Sequence, residues 1–172
     1  MSGILFVAGE RLEGLVFWLL GGFWRLEWQG SCIMLGMALI ISTGGLFMHR
    51  EMNMLYLGER AAAAAGVDTR KVIAGAVLFS ALATAVTVAY CGVIGFVGLL
   101  IPHMARRIFG ADFRSLLPGA ALLGAWLMIV ADWAGRSLFM PLEVPVGVLT
   151  SVIGAPFFLL LVVCRLKNSR GE

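Results

Sequence analysis

The sequence predicts an all-α integral membrane protein, with about five transmembrane helices preceded by an external amphipathic helix. Three observations carry this. Hydrophobic residues make up 60% of the 172-residue chain and charged residues only 13%, where soluble domains carry about 25% charged residues. Several apolar runs approach the roughly 20 residues that a helix needs to cross a bilayer. The basic residues also fall unevenly between alternate connections, as the positive-inside rule requires of a polytopic protein.

Residues 1–29 form the first region. Met1–Ala8 is apolar but short, has no basic lead, and is followed by Glu10-Arg11-Leu12-Glu13, which is not the pattern of a secretory signal. Leu12, Leu15, Val16 and Leu19 recur at helical spacing, with Trp18, Trp24 and Trp28 nearby. An amphipathic helix lying at the outer interface with a tryptophan belt fits these residues. A chain that starts outside without a signal reads as the later part of something longer.

The membrane region covers residues 30–164. Spans are expected at Gly30–Met48, Lys71–Gly92, Gly119–Phe139 and Val146–Cys164, with a shorter one at Val93–Ile108. All are read as helices, because a helix satisfies its own backbone in lipid. The polar connections are His49–Arg70, Arg106–Leu117 and Met140–Pro145, and residues 165–172 are the tail. With the tail inside, the inner segments hold Arg50, Arg60, Arg70, Lys71, Arg106, Arg107, Arg114, Arg165, Lys167 and Arg170. The outer ones hold only Arg11, Arg25 and Arg136. The C-terminus is therefore expected in the cytoplasm and the N-terminus outside. The net charge of +3 follows from this bias and is no sign of nucleic-acid binding.

Packing is expected through small residues. In Gly92-Val-Ile-Gly95-Phe-Val-Gly98-Leu-Leu-Ile-Pro102-His103 the glycines recur every three residues, a spacing that would line one helix face and admit a close neighbour. Such a short, glycine-notched, proline-ended segment suits a transporter, and equally a tight packing helix in any polytopic protein. Ala81, Ala85 and Ala89, with Ala76, Ser80 and Thr84 beside them, form a second small-residue stripe; Gly36, Gly44, Gly45, Gly147 and Gly154 extend the habit. Asp132 and Arg136 lie four apart, so they share a face. They either neutralise each other at the interface, or Arg136 faces outward to meet an acidic partner.

No chemistry of catalysis is written here. The chain has no glycine-rich phosphate loop of the Walker type, no His-Glu-x-x-His and no serine elbow. Cys32, Cys91 and Cys164 have no ligand or pairing spacing, so they read as inert thiols. No catalytic, cofactor or metal site is expected, and energy for any transport must come from a partner or a gradient.

Longer motifs carry a resemblance. They are Phe17-Trp18-Leu-Leu-Gly21-Gly22-Phe23; Asn53-Met54-Leu55-Tyr56-Leu57-Gly58-Glu59-Arg60-Ala61 with Ala65-Gly66-Val67; Ile94-Gly95-Phe96-Val97-Gly98-Leu99-Leu100-Ile101-Pro102-His103; and Leu116-Leu117-Pro118-Gly119. Ala131-Asp132 with Arg136, Glu143-Val144-Pro145-Val146-Gly147 and Ile153-Gly154-Ala155-Pro156-Phe157-Phe158 follow in order. In these stretches the chain resembles the permease subunits of ABC importers for iron-siderophores, haem and cobalamin, the FecCD-like or BtuC-like permeases. The resemblance implies half of a ten-helix permease, running from the short external helix after the fifth span through the tenth.

It also implies partners: cytoplasmic ATPase subunits, an external substrate-binding protein, and an N-terminal half-permease or full permease in a dimeric assembly. Residues 49–71 would form the coupling loop on the ATPases, with Leu57, Gly58, Glu59, Arg60, Ala61 and Gly66 at its centre; the residues agree in that Gly58-Glu59-Arg60 begins an Ala61–Ala65 stretch of high helix propensity that Gly66 stops. Arg136 would meet the binding protein. Gly92, Gly95, Gly98, Pro102, Gly147, Gly154 and Pro156 would belong to helix packing and the translocation region. The expected function is import of an iron chelate, haem or corrinoid across a bacterial or archaeal cytoplasmic membrane. A structural or assembly partner without transport of its own is the alternative.

Overall fold

The computed structural model describes residues 14–16, 18–24, 26–137 and 144–169. The expectations for residues 1–13, for Phe17 and Arg25, for residues 138–143 (the end of the Gly119–Phe139 span and most of the Met140–Pro145 connection, with Glu143), and for the end of the tail lie outside the described residues, as do those for the side chains of Cys164, Arg165 and Lys167. Seven helices follow a short helical stretch at 14–16 and 18–20: α1 (Trp28–Phe47), α2 (His49–Tyr56), α3 (Glu59–Ala64), α4 (Thr69–Cys91), α5 (Val97–Phe109), α6 (Phe113–Ser137) and α7 (Val146–Ser169). Four of them, α1, α4, α6 and α7, are long and apolar enough to cross a membrane.

The fifth expected span departs from this. The chain at 92–96 is not helical, and α5 has only 13 residues, a rise of about 20 Å against a hydrocarbon core of about 30 Å. Gly92 has φ 70° and Phe96 has φ 64°, so the run that the glycine spacing predicts as one helix face is broken at both places. The start of α6 also moves. It begins at Phe113 and not at Gly119, with Pro118 inside the helix. Helix α7 continues past Cys164 to Ser169.

Hydroxyls inside the spans are satisfied locally. Thr43 donates to Leu39 O at 2.7 Å, Thr84 to Ser80 O at 2.8 Å, Thr87 to Ala83 O at 2.8 Å and Ser151 to Gly147 O at 2.7 Å. Back-bonding of this kind removes the cost of a bare hydroxyl in lipid.

The chain forms two compact units. The first comprises Met1–Arg25, Tyr90–Leu100 and Ala125–Glu172, and the second Leu26–Ala89 and Ile101–Gly124. In the second unit, Gly44 of α1 faces the Phe79 ring of α4, and Gly45 faces Leu117 of α6. Gly119 lies against the Phe109 ring, while Ala62, Val72, Ile101, Ala105 and Leu116 are buried. The alanine stripe of α4 does not join this packing: Ala81, Ala85 and Ala89 are exposed. In the first unit, Cys91, Leu100, Ala131, Val146 and Thr150 are buried. Elsewhere Leu122, Trp126 and Ile129 leave large apolar surface uncovered on α6, as expected of a helix whose solvent is lipid or other helices.

Candidate functional site

Three places bring the predicted residues together. The first is the polar connection between α1 and α4. A single non-helical residue, Met48, separates α1 from α2. Helix α3 then begins after Gly58, whose φ of 118° is open to glycine alone. It ends in the expected left-handed stop: Gly66 has φ 81°, its N–H reaches Ala63 O at 3.0 Å, and Val67 N–H reaches Ala62 O at 3.0 Å. That pair of bonds is a Schellman closure. Asp68 then caps α4, accepting Lys71 N–H at 3.3 Å and pairing with Lys71 Nζ at 2.9 Å. Those bonds hold its carboxyl below the ordinary value. Leu57, Gly58, Glu59, Arg60, Ala61 and Gly66 are all exposed, so the predicted loop residues share one accessible segment.

Beneath this segment lie contacts that the sequence motifs did not single out. Asn53 of α2 donates from Nδ2 to Asp112 Oδ1 at 2.8 Å and accepts Phe113 N–H at Oδ1, 2.9 Å. Asp112 also accepts Arg114 N–H at 3.0 Å, capping α6. The Arg106 guanidinium carbon sits 5.1 Å from the Tyr56 ring centre and 5.9 Å from that of Phe113. The Asp112 carboxyl is held below 3.8, first by the Asn53 hydrogen bond and then by the Arg114 N–H, with the charges of His49 and Arg114 adding to it. Nothing in composition pairs residues 59 positions apart.

The second place is a glycine junction in the first unit. Gly22 N–H donates to Cys91 O at 2.8 Å, and Gly147 N–H to Gly21 O at 3.2 Å. A Cβ at Gly92 would strike Trp18 O, and one at Gly147 would strike Leu20 O and approach Val93 O at 2.9 Å. Three stretches of backbone therefore meet directly. Gly154 of α7 lies under the Phe96 side chain, and Gly95 faces Ser151 Oγ, 3.4 Å from where a Cβ would stand. Phe96 itself caps α5, its carbonyl accepting Leu99 N–H at 3.0 Å and Leu100 N–H at 2.9 Å. A bulky residue in this region of φ is costly; its position inside Gly95-Phe96-Val97-Gly98 was the available signal. Gly98, Pro102 and Pro156 do not join the junction. Beyond its chain neighbours and its own helix backbone, no described residue lies within 4 Å of a Cβ at Gly98, and both prolines are exposed.

The third place is Arg136. Its Nε binds Asp132 Oδ2 at 2.9 Å, with both side chains partly exposed. The pair borders an open pocket of about 600 Å³ whose other walls include Phe23, Met128, Ile129 and Trp133. Among the described residues no group of three His, Cys, Asp or Glu side chains could hold a metal ion.

Comparison with known proteins decides the family. The model of the FecCD transport family matches residues 1–164. The chain belongs to that family. Among FecCD relatives, the hemin transport system permease protein HmuU of Yersinia pestis is 40% identical over 164 residues, covering 94% of this chain and 48% of HmuU. The Fe(3+) dicitrate transport system permease protein FecD of Escherichia coli is 40% identical over 154 residues, covering 90% and 48%. The cobalamin import system permease protein BtuC of Halobacterium salinarum is 37% identical over 154 residues, covering 90% and 41%. A solved structure described as an inward-facing metal-chelate type ABC transporter superposes with a TM-score of 0.82 at 38% identity. It covers 90% of this chain and 50% of its own. The chain thus spans about half the length of the curated relatives it matches. The FecCD family and these relatives are transport permeases, not enzymes.

Proposed function

We propose that this chain is the membrane-spanning half of a permease that imports an iron-siderophore, haem or cobalamin-type chelate, driven by ATP hydrolysed on separate cytoplasmic subunits. The observation that carries the proposal is the match along residues 1–164 to a family whose relatives are named for hemin, ferric dicitrate and cobalamin. In this proposal α2 and α3 seat on the ATPases, an external binding protein delivers the chelate near Arg136, and alternating access moves the helices around a central path. The remaining length of the relatives is supplied by the same polypeptide or by a partner permease, in a dimeric assembly.

The proposed membrane is bacterial or archaeal and cytoplasmic, with the N-terminus outside and the C-terminus inside. The bias of basic residues towards the inner segments supports this topology's direction, and the Asn53 bonds to Asp112 and Phe113 support its alternation. They keep the α1–α4 connection and the α5–α6 turn on one side, so the chain between them crosses an even number of times. Helix α4 makes one crossing. The return is α5 with its non-helical lead.

Uptake tests the proposal. Cells lacking their own chelate permeases should gain uptake of labelled ferric-siderophore, haem or cobalamin when this chain is supplied with its ATPase, binding protein and the rest of the permease. An assembled complex that hydrolyses ATP but carries none of the three would overturn it.

A further inference from the structure

Helix α2 has eight residues, and an isolated helix of that length is not stable in water. Its conformation and position must therefore come from what it is fastened to. One end is continuous with α1 through Met48, whose carbonyl accepts Met52 N–H at 3.0 Å. The other fastening is lateral. Asn53 and Tyr56 lie three apart and so share a face; Asn53 meets the turn that joins α5 to α6, and Tyr56 meets Arg106 in the last turn of α5.

The chemistry of that contact is specific. The amide of Asn53 faces a carboxylate with its donor end and a backbone N–H with its acceptor end. Only this orientation satisfies both, since a carboxylate accepts and an N–H donates. Phe113 is the first residue of α6, so its N–H is one of the donors that no turn of α6 can satisfy. A side chain of α2 supplies the missing acceptor. Asp112 Oδ1 serves both sides, receiving Asn53 Nδ2 from α2 and Arg114 N–H from α6. Arg106, in the last turn of α5, adds to the contact by reaching both the Tyr56 and the Phe113 rings. Three helices meet at one turn, while α3 hangs from α2 through Leu57 and Gly58 with its outward residues uncovered.

We infer that Asn53 is a positioning residue for transport: it latches α2 to the α5–α6 turn, so that displacement of the loop helices moves the start of α6 with them. This rests on the proposed role of α2 and α3 against the ATPases. Without the latch, a push on the loop would be absorbed by the Met48 break and the glycines at 58 and 66. With it, the push reaches a helix long enough to cross the membrane.

The test exchanges the two polar partners. Asn53→Asp sets a second carboxylate against Asp112. Asp112→Asn alone still offers an acceptor to Arg114 N–H and to Asn53. In the double variant Asn53→Asp with Asp112→Asn, the carboxylate at 53 accepts Phe113 N–H and the amide of residue 112, while Arg114 N–H loses its acceptor, because one atom of residue 112 meets both and now donates. Two readouts are taken: hydrogen exchange of amides 113–116 in the chain in detergent, and chelate carried per ATP hydrolysed in the assembled complex. The inference expects Asn53→Asp to raise exchange about tenfold, the scale of one lost charge-assisted hydrogen bond. It expects the same variant to lower the transport ratio severalfold while ATP hydrolysis continues. Asp112→Asn should stay near the parent, and the double variant should recover the transport ratio and the exchange of Phe113 N–H but not that of Arg114 N–H.

Exchange that stays parental in Asn53→Asp, or exchange of Phe113 N–H that the double variant fails to recover, would overturn the latch. A variant that loosens the turn yet keeps the parental transport ratio would reduce Asn53 to a structural staple and overturn its role in transport. If the parent complex carries no chelate, the proposed function fails, and with it the transport role of Asn53. The exchange series still decides separately whether the latch holds α2 to α6.

Discussion

At Gly92 the backbone has φ 70° and an added Cβ would meet Trp18 O. Gly92→Ala therefore combines a left-handed penalty of roughly 1–2 kcal/mol with a clash against backbone that cannot rotate away. Thermal unfolding in detergent should show a clear loss of stability. Gly36→Ala is the contrasting control. Beyond its chain neighbours and its own helix backbone, no described residue lies within 4 Å of its Cβ position, and it sits inside α1, so the substitution should be neutral or stabilising by up to about 1 kcal/mol. If both variants melt alike, the close-approach account of Gly92 is wrong. The same logic separates Gly154, which carries Phe96, from Gly98, which meets nothing described in this chain. Gly154→Leu should disrupt assembly, while Gly98→Leu should leave the chain's own fold intact.

The loop helices behave as one element with defined ends. Gly66 closes α3 at φ 81°, so Gly66→Val strains the stop. It should lower transport per ATP in the assembled complex without preventing membrane insertion, and an unchanged ratio would remove this loop from coupling. Acidity acts on the other side of the element. The Asp112 carboxyl is depressed chiefly by Asn53. A depressed group contributes stability above its unfolded-state value and loses that contribution as pH falls through its folded value. The contact of α2 with the α5–α6 turn should therefore hold from neutral pH down to about the ordinary aspartate value of 3.8 and weaken only below it. In Asn53→Ala the Asp112 titration, followed by carboxyl NMR, should move up towards that ordinary value; an unmoved titration would assign the depression to Arg114 and His49.

For the whole molecule, the binding-protein face is the open test. A partly exposed ion pair is worth about 0–1 kcal/mol, yet charges at a rim steer encounter and fix orientation. Arg136→Glu should weaken docking of the cognate binding protein, most at low salt, and a glutamate-to-arginine change on that partner should restore part of it. Asp132→Asn belongs in the same series, because Asp132 holds Arg136 Nε at 2.9 Å. Parental affinity of Arg136→Glu at low salt would leave the local pair as the whole role of Arg136.

Membrane class, helical content and the four long spans were legible in the chain, because lipid imposes length and apolarity on each segment separately and composition records both. The Gly66 stop was legible too, since a helix end is set by its own neighbours. The glycine run from Gly92 to Gly98 misled, because spacing reports a face only if the segment is helical. There a backbone crossing holds Gly92 in a left-handed conformation, and only the fold shows which backbones cross. The Asn53–Asp112 contact was equally hidden. Two ordinary polar residues far apart in sequence become partners when two connections on the same side of the helices are brought together, and no local pattern encodes that meeting.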